Sequence, residues 1–300
     1  MPCTRPRFGY ACISELTGRT TGHCCALKHA TPNRLRELIH QNLTELQAIL
    51  EHNVSNGWFL FRMSSGVIPF ASHPINQLEW WKEFARPFAE IGSYVRANCL
   101  RLSMHPGQYT VLNSGDPRIR RAATAELAYA ARVFDALGLN AEHKIVIHLG
   151  GVYGNKVAAM RRFAQVANRL PTEIRRRLVI ENDERSYTVV DALAISDDCG
   201  LPVVFDNLHD RANSSGDLDE LIPRVFRTWH KHDGKPKVHF SSQARGAQIG
   251  KHAEWVDAIE FGAMLETWGR FGEFDVMLEA KRKDAALEKA LGKIKQRNAG

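Results

Sequence analysis

Within this 300-residue chain, residues able to bind cations recur at one kind of position. His105 ends the apolar run CLRLSMH, His148 lies near the end of KIVIHL, Glu181 near the end of RLVIEN and Glu279 near the end of FDVMLEA. In PVVFDNLH, Asp206 stands three residues before His209. In PKVHFS, Lys237 and His239 are two apart and so share one face of a strand. His73 follows WFLFRMS within SSGVIPFASH, and His252 follows PKVHFS within QARGAQIGKH. Each has an ordinary reading when taken singly. Glu181 and Asp206 suit helix N-caps, His105 a half-buried ring before a turn, His209 a solvated loop, and Glu279 with Lys281 a surface pair. Those readings predict scatter, yet six of the 13 histidines and three carboxylates fall at or just beyond strand ends. The remaining histidines (23, 29, 40, 52, 143, 230 and 232) fall elsewhere and read as surface or packing residues.

Three carboxylates in one cavity must be neutralised, because an unpaired buried charge is prohibitive. Divalent cations do this, and mixed nitrogen and oxygen donors suit Zn, Mn or Fe better than Mg or Ca. Nine such ligands exceed the needs of one ion. They suffice for two or three ions sharing carboxylates, the arrangement that clamps attacking and leaving oxygens in phosphoryl transfer.

These side chains must be carried by strands that end together. Strand candidates are RFGYACI (7–13), WFLFRMS (58–64), CLRLSMH (99–105), KIVIHL (144–149), RLVIEN (177–182), PVVFDN (202–207), PKVHFS (236–241) and FDVMLEA (274–280). Amphipathic helical segments separate most of them. One carries Leu35, Leu38, Leu43, Leu46, Ile49 and Leu50 on a single stripe, and another, DPRIRRAATAELAYAARVFDALG, is stopped by Gly138. Eight strands alternating with helices predict an α/β fold, a single (β/α)8 (TIM) barrel domain over residues 1–300 with its metal cluster at the C-terminal face of the strands. The barrel is expected over roughly 7–283, with 284–300 a charged helical tail that frays. A doubly wound sheet is disfavoured, since no glycine-rich phosphate loop follows RFGYACI and GGVYGNK (150–156) lacks the spacing of one.

The formal charge of +7 favours an anionic partner such as nucleic acid. Six cysteines without metal-binding spacing read as reduced thiols. With no signal peptide and no membrane-spanning run in the sequence, a cytoplasmic location and a monomer are expected.

The motifs GY, PFASH, SMHPGQY, IHLGG, IEND, FDNLH, KVHFS and LEAK occur here in an order that resembles the UV damage endonuclease family. At the level of fold the chain is similar to endonuclease IV and the xylose-isomerase-like barrels. The resemblance spans roughly residues 7–283. It implies a DNA repair enzyme that nicks duplex DNA 5′ to cyclobutane dimers and 6-4 photoproducts, using two or three divalent ions. Manganese is the first expectation, with zinc, cobalt or magnesium as alternatives, and no organic cofactor. It implies metal ligands at His105, His148, Glu181, Asp206, His209, His239, His252 and Glu279, with His73 a ligand or a phosphate contact. Lys237 matches a lysine that can be carboxylated in the family; with Glu181 and His73 it completes the catalytic candidates.

By the same resemblance Gln108 and Tyr109, turned outward by Pro106-Gly107, wedge into the helix at the lesion. Tyr10 and Ser14 would face the damage, Ser14 standing where the family pattern has asparagine. Lys156, Arg245, Lys251 and Lys281, in loops after strands, are candidate phosphate contacts. Rival readings are a sugar isomerase or an abasic-site endonuclease on the same barrel, or a non-enzymatic damaged-DNA binder with structural metals.

Overall fold

Eight runs rich in β-branched, aromatic and long apolar residues form eight short parallel strands: β1 Phe8–Ala11, β2 Leu60–Met63, β3 Arg101–Met104, β4 Lys144–His148, β5 Leu178–Glu181, β6 Val203–Asp206, β7 Lys237–Phe240 and β8 Asp275–Leu278. The computed structural model describes residues 6–214 and 216–299, and in it the strands close in chain order, with β1 paired to both β2 and β8. A helix follows each strand: α1 Pro32–Ser55, α2 Ala85–Ala97, α3 Pro117–Ala136, α4 Lys156–Ala167, α5 Val189–Cys199, α6 Leu218–Arg227, α7 Ala258–Gly269 and α8 Lys283–Ala299. The architecture is a TIM barrel, as the alternation predicts.

Strand parity sorts the side chains into two layers. One set, including Phe61, Leu102, Ile145, Ile180, Phe205, Val238 and Leu278, joins the main apolar core with the helices. The stripe predicted on α1 is buried, and each of its leucines contributes about 2 kcal/mol of apolar transfer. Inside the barrel small apolar clusters remain, Val146, Val179 and Val204 in one and Ala11, Leu60 and Met277 in the other. The N-terminal strand ends form a charged floor. Arg101 donates to Asp275 at 2.8 Å, Arg7 reaches the same carboxylate at 3.3 Å, and Lys144 pairs with Asp233. Burial lowers the Lys144 pKa to about 8 against the pull of Asp233.

Two expectations are corrected here. Residues 284–299 are not a tail outside the barrel: they belong to its eighth helix, which buries Ala286, Leu287 and Ala290, and residue 300 lies outside the described residues. Asp284, fully buried, accepts from the Ser14 hydroxyl and from the backbone N–H of Glu15 at 2.7 Å, fastening the loop after β1 to α8. Cys99 is disulfide-bonded, whereas Cys12, Cys24, Cys25 and Cys199 are free; Cys3 lies outside the described residues. Among the described residues no helix is long and apolar enough to cross a membrane.

Replacing Asp284 by alanine removes an acceptor shared by the buried Ser14 hydroxyl and the Glu15 N–H. Asp284→Ala is expected to lower the unfolding free energy by about 2 kcal/mol, read by urea titration. A change within experimental error would return α8 to the status of a dispensable tail.

Candidate metal centre

The last residues of β4, β5 and β6 are His148, Glu181 and Asp206, and His239 precedes the last residue of β7. Pairing sets them level, His148 beside Glu181 and Asp206 beside His239, so all four face the barrel mouth. His105 and Glu279 each stand one residue beyond their strands. Glu181 is the hub. Its Oε2 lies 2.9 Å from His105 Nε2 and 3.7 Å from His148 Nε2, while its Oε1 lies 2.6 Å from His239 Nδ1. Glu279 Oε1 is 3.1 Å from the same His239 nitrogen and accepts from Arg62 at 2.6 Å. Two sets of potential ligand atoms result, His105–His148–Glu181 and Glu181–Asp206–His239–Glu279, each within 4.8 Å and sharing Glu181.

The donors fit cations better than they fit one another. His105 meets two acceptors, Pro106 O at 3.2 Å through Nδ1 and Glu181 through Nε2. Burial lowers its pKa to about 4 even though Glu181 pulls the other way, so the neutral ring has one proton for two acceptors. A cation at the ring nitrogen facing the carboxylate resolves that conflict. His148 Nδ1, His239 Nε2 and Asp206 Oδ2 are buried without any hydrogen-bond partner. Each such atom costs about 1–3 kcal/mol if left unmet.

Burial opposes ionisation of Glu181, but His239 and His148 outweigh it and hold the carboxyl well below its usual range. Glu279 is likewise lowered, chiefly by Arg62 and His239 against burial. Asp206 is raised, first by burial and then by Glu181 and Glu279, with His209 opposing.

Asp206 fills both of its sequence readings at once. Its Oδ1 caps the short helix Asn207–Ala212, accepting from Leu208 and His209 N–H at 2.8 Å, and its Oδ2 stays unmet. His209 Nδ1 lies 2.9 Å from Asn182 O, which directs Nε2 away from that carbonyl. It also lies 3.9 Å from carboxylate oxygens of both Asp206 and Glu181. His209 and His252 are both outside the two ligand sets, and His252 is held by Ser241 Oγ at 2.7 Å from its Nδ1. His73 is exposed in the turn after β2, its Nδ1 accepting from Ile75 N–H at 3.1 Å. Lys237 lies buried at the start of β7 with no hydrogen-bond partner for Nζ, and burial pushes its pKa well below the usual lysine range.

Gln108 and Tyr109 stand exposed on the turn after Pro106-Gly107, Tyr109 at 70 %. Tyr10 and Ser14 do not face the mouth. Tyr10 points outward from β1 into the helix layer, donating to Asn53 Oδ1 at 2.8 Å and packing on Trp58 and Phe61. Its neighbours Gly9 and Ala11 take the inward parity, and Gly9 has no room for a side chain against the Leu60 carbonyl. Ser14 is buried against Asp284. Lys156 is held by Asp191 at 2.6 Å and Lys281 by Glu254 at 3.3 Å, whereas Arg245 and Lys251 are exposed on the loop after β7.

Sequence reasoning passed over Arg62 and Asn182. Arg62 is the lone charge within WFLFRMS, and parity alone would have aimed it inward. Asn182, in IEND, bonds Asp206 through both ends of its amide, at 2.9 and 3.0 Å, and so locks β5 to β6.

A closed (β/α)8 barrel with histidines and carboxylates gathered at its C-terminal mouth defines a TIM barrel with a candidate cation site. The family model "UV-endonuclease UvdE" matches residues 6–298, and the chain belongs to that family. A UV DNA damage endonuclease of Clostridium perfringens (strain 13 / Type A) is 38 % identical over 297 residues, covering 97 % of this chain and 71 % of the relative. The crystal structure of SacUVDE superposes with a TM-score of 0.92 at 35 % identity, covering 98 % of this chain and 99 % of that one. Endonuclease IV from Thermus thermophilus, at TM-score 0.55 and 15 % identity over 97 % of this chain and all of its own, shares the fold.

His209 supplies a pH signature for the metal-free protein. Burial opposes its charge, but Asp206 and Glu181 outweigh burial and raise its pKa from 6.5 to about 9. A raised folded pKa adds stability that is complete below 6.5 and is lost as pH climbs through about 9. After chelation the chain should therefore lose about 3 kcal/mol more than His209→Gln as pH rises across that window. Parallel stability curves in denaturant titrations would contradict this.

Proposed function

We propose that the chain is a DNA repair endonuclease that hydrolyses the phosphodiester on the 5′ side of UV photoproducts, leaving a 3′-hydroxyl and a 5′-phosphate. One juxtaposition carries the reading: a Glu181-centred set of cation ligands opens beside an exposed Gln108–Tyr109 turn that begins three residues after His105. Two or three divalent ions, manganese first, fit the donors described above. Bound there, such ions lower the pKa of water and stabilise charge on the phosphoryl oxygens.

The chain's own residues do the rest. His105, His148, Glu181, Asp206, His209, His239 and Glu279 hold the ions, with His252 and His73 at the rim for contacts to DNA or to an ion made when substrate is bound. Arg62 fixes Glu279 by ion pairing, and Asn182 fixes the direction of His209. The buried Lys237 amine, unpartnered and with its pKa lowered by burial, supports carboxylation by carbon dioxide, the deprotonated amine and CO2 giving carbamate and a proton. Arg245 and Lys251 are free to meet phosphate, whereas Lys156 and Lys281 must first exchange a carboxylate partner. Tyr109 offers a ring and Gln108 an amide to the gap left by a displaced base. Photoproducts weaken stacking, so bending and flipping cost less there than in intact duplex, which supports acceptance of several lesions. An exposed aromatic turn at the mouth suits a polymer better than a small sugar.

Nicking of supercoiled plasmid, irradiated or depurinated, tests the reading. His105→Ala and Glu279→Ala should each slow nicking at least about a hundredfold, more than the loss of a residue that merely orients a ligand. A wild-type chain that binds irradiated plasmid but leaves it supercoiled would make the protein a binder, and one that cuts only depurinated plasmid an abasic-site enzyme. Gln108→Ala/Tyr109→Ala should keep its metals and lose about tenfold or more of the preference for irradiated over intact DNA. Unchanged preference would remove the turn from lesion recognition.

A further inference from the structure

Tyr153 lies in the loop between β4 and α4 with a backbone φ of 47°, flanked by Gly150 at 93° and Gly154 at 76°. A bulky L-residue is strained in this left-handed region, whereas glycine adopts it freely. The ring gains little from burial in return, since it is 51 % exposed. Strain of this kind persists where something other than folding selects the residue.

The surroundings indicate what selects it. The loop starts directly after His148 and lies against the loop that carries Gln108 and Tyr109. Asn113, from that second loop, donates to Gly151 O at 2.8 Å. Gly150 approaches Asn113 so closely that a Cβ there would meet Oδ1 at 2.4 Å. Arg162, on α4, donates to Asn113 O at 2.6 Å and places its guanidinium 5.6 Å from the centre of the Tyr153 ring. Two exposed tyrosines are thus held on loops that are bonded together beside the ligand cluster.

We infer that Tyr153 is a second nucleobase-contacting residue, an aromatic platform for a base of the distorted duplex, carried on a loop bonded to the one that presents the Tyr109 wedge. The inference rests on the nuclease reading and adds a contact that reading does not use. Arg162 steadies the ring by a cation–π contact and ties it to the wedge loop, so the two aromatics present one surface to DNA.

The test pairs melting temperature with anisotropy binding of the metal-loaded full chain to an irradiated duplex, for Tyr153→Gly and Tyr153→Phe. Because glycine relieves strain, Tyr153→Gly should melt no lower than wild type yet bind about tenfold more weakly, the range for one lost base–aromatic stack. Tyr153→Phe, which keeps the ring, should restore binding. Affinity of Tyr153→Gly within about twofold of wild type, or a loss of affinity accompanied by a lower melting temperature, overturns the proposal. The reading beneath it fails separately, if wild-type protein neither prefers nor nicks irradiated duplex.

Discussion

Glu181 sits at the end of β5 with 1 % of its surface exposed and three histidine nitrogens within 3.7 Å of its oxygens. Removed from water, a carboxylate ionises only where positive charge is supplied nearby. The rings that surround it cannot all be protonated, since burial makes that costly for His105 in particular. Asp206 and Glu279 add two further carboxyl groups to the same few ångströms. The number of acceptors exceeds the number of protons available, and that imbalance is the constraint around which the mouth of the barrel is built. Shared cations satisfy it, and they are also the groups that phosphodiester hydrolysis requires.

The remainder of the barrel keeps that arrangement rigid. Polar groups inside a barrel are tolerated when each is fixed by a partner, and at the floor Arg7, Arg101 and Asp275, and Lys144 and Asp233, meet that condition, whereas Lys237 beside them does not. The mouth does not meet it. Unmet atoms on His148, Asp206 and His239 are concentrated where ligands would sit. Between the two ends, valines and a leucine separate the charged layers, and the helices supply apolar burial from outside. Stability and function therefore occupy opposite ends of the same eight strands.

Much of this was legible in the sequence because periodicity and residue type are local signals. Alternating runs fixed the strand count, and histidines or carboxylates at the ends of those runs identified the face. The failures have a common origin in contacts that a linear pattern does not encode. Tyr10 matched a motif, but strand parity turned it into the helix layer, where Asn53 takes its hydroxyl. Ser14 was assigned to the lesion, yet its partner is Asp284, 270 residues away. The charged look of residues 284–300 concealed Ala286, Leu287 and Ala290, a small apolar stripe sufficient to dock the eighth helix. Arg62 was passed over because one arginine in an apolar run reads as a surface residue until its partner Glu279, just past β8, is seen. His73 and His252 sit at strand-end loops as expected, but loop conformation, which sequence did not resolve, holds them outside the ligand sets.

The account depends most on cations neutralising the Glu181 cluster, and metal content measures that directly. Elemental analysis of the purified, dialysed chain should find at least two divalent ions per molecule, and fewer in a Glu181→Gln variant, which removes the shared ligand. A wild-type protein free of divalent metal after purification, and unable to take up manganese or zinc on titration, would contradict it.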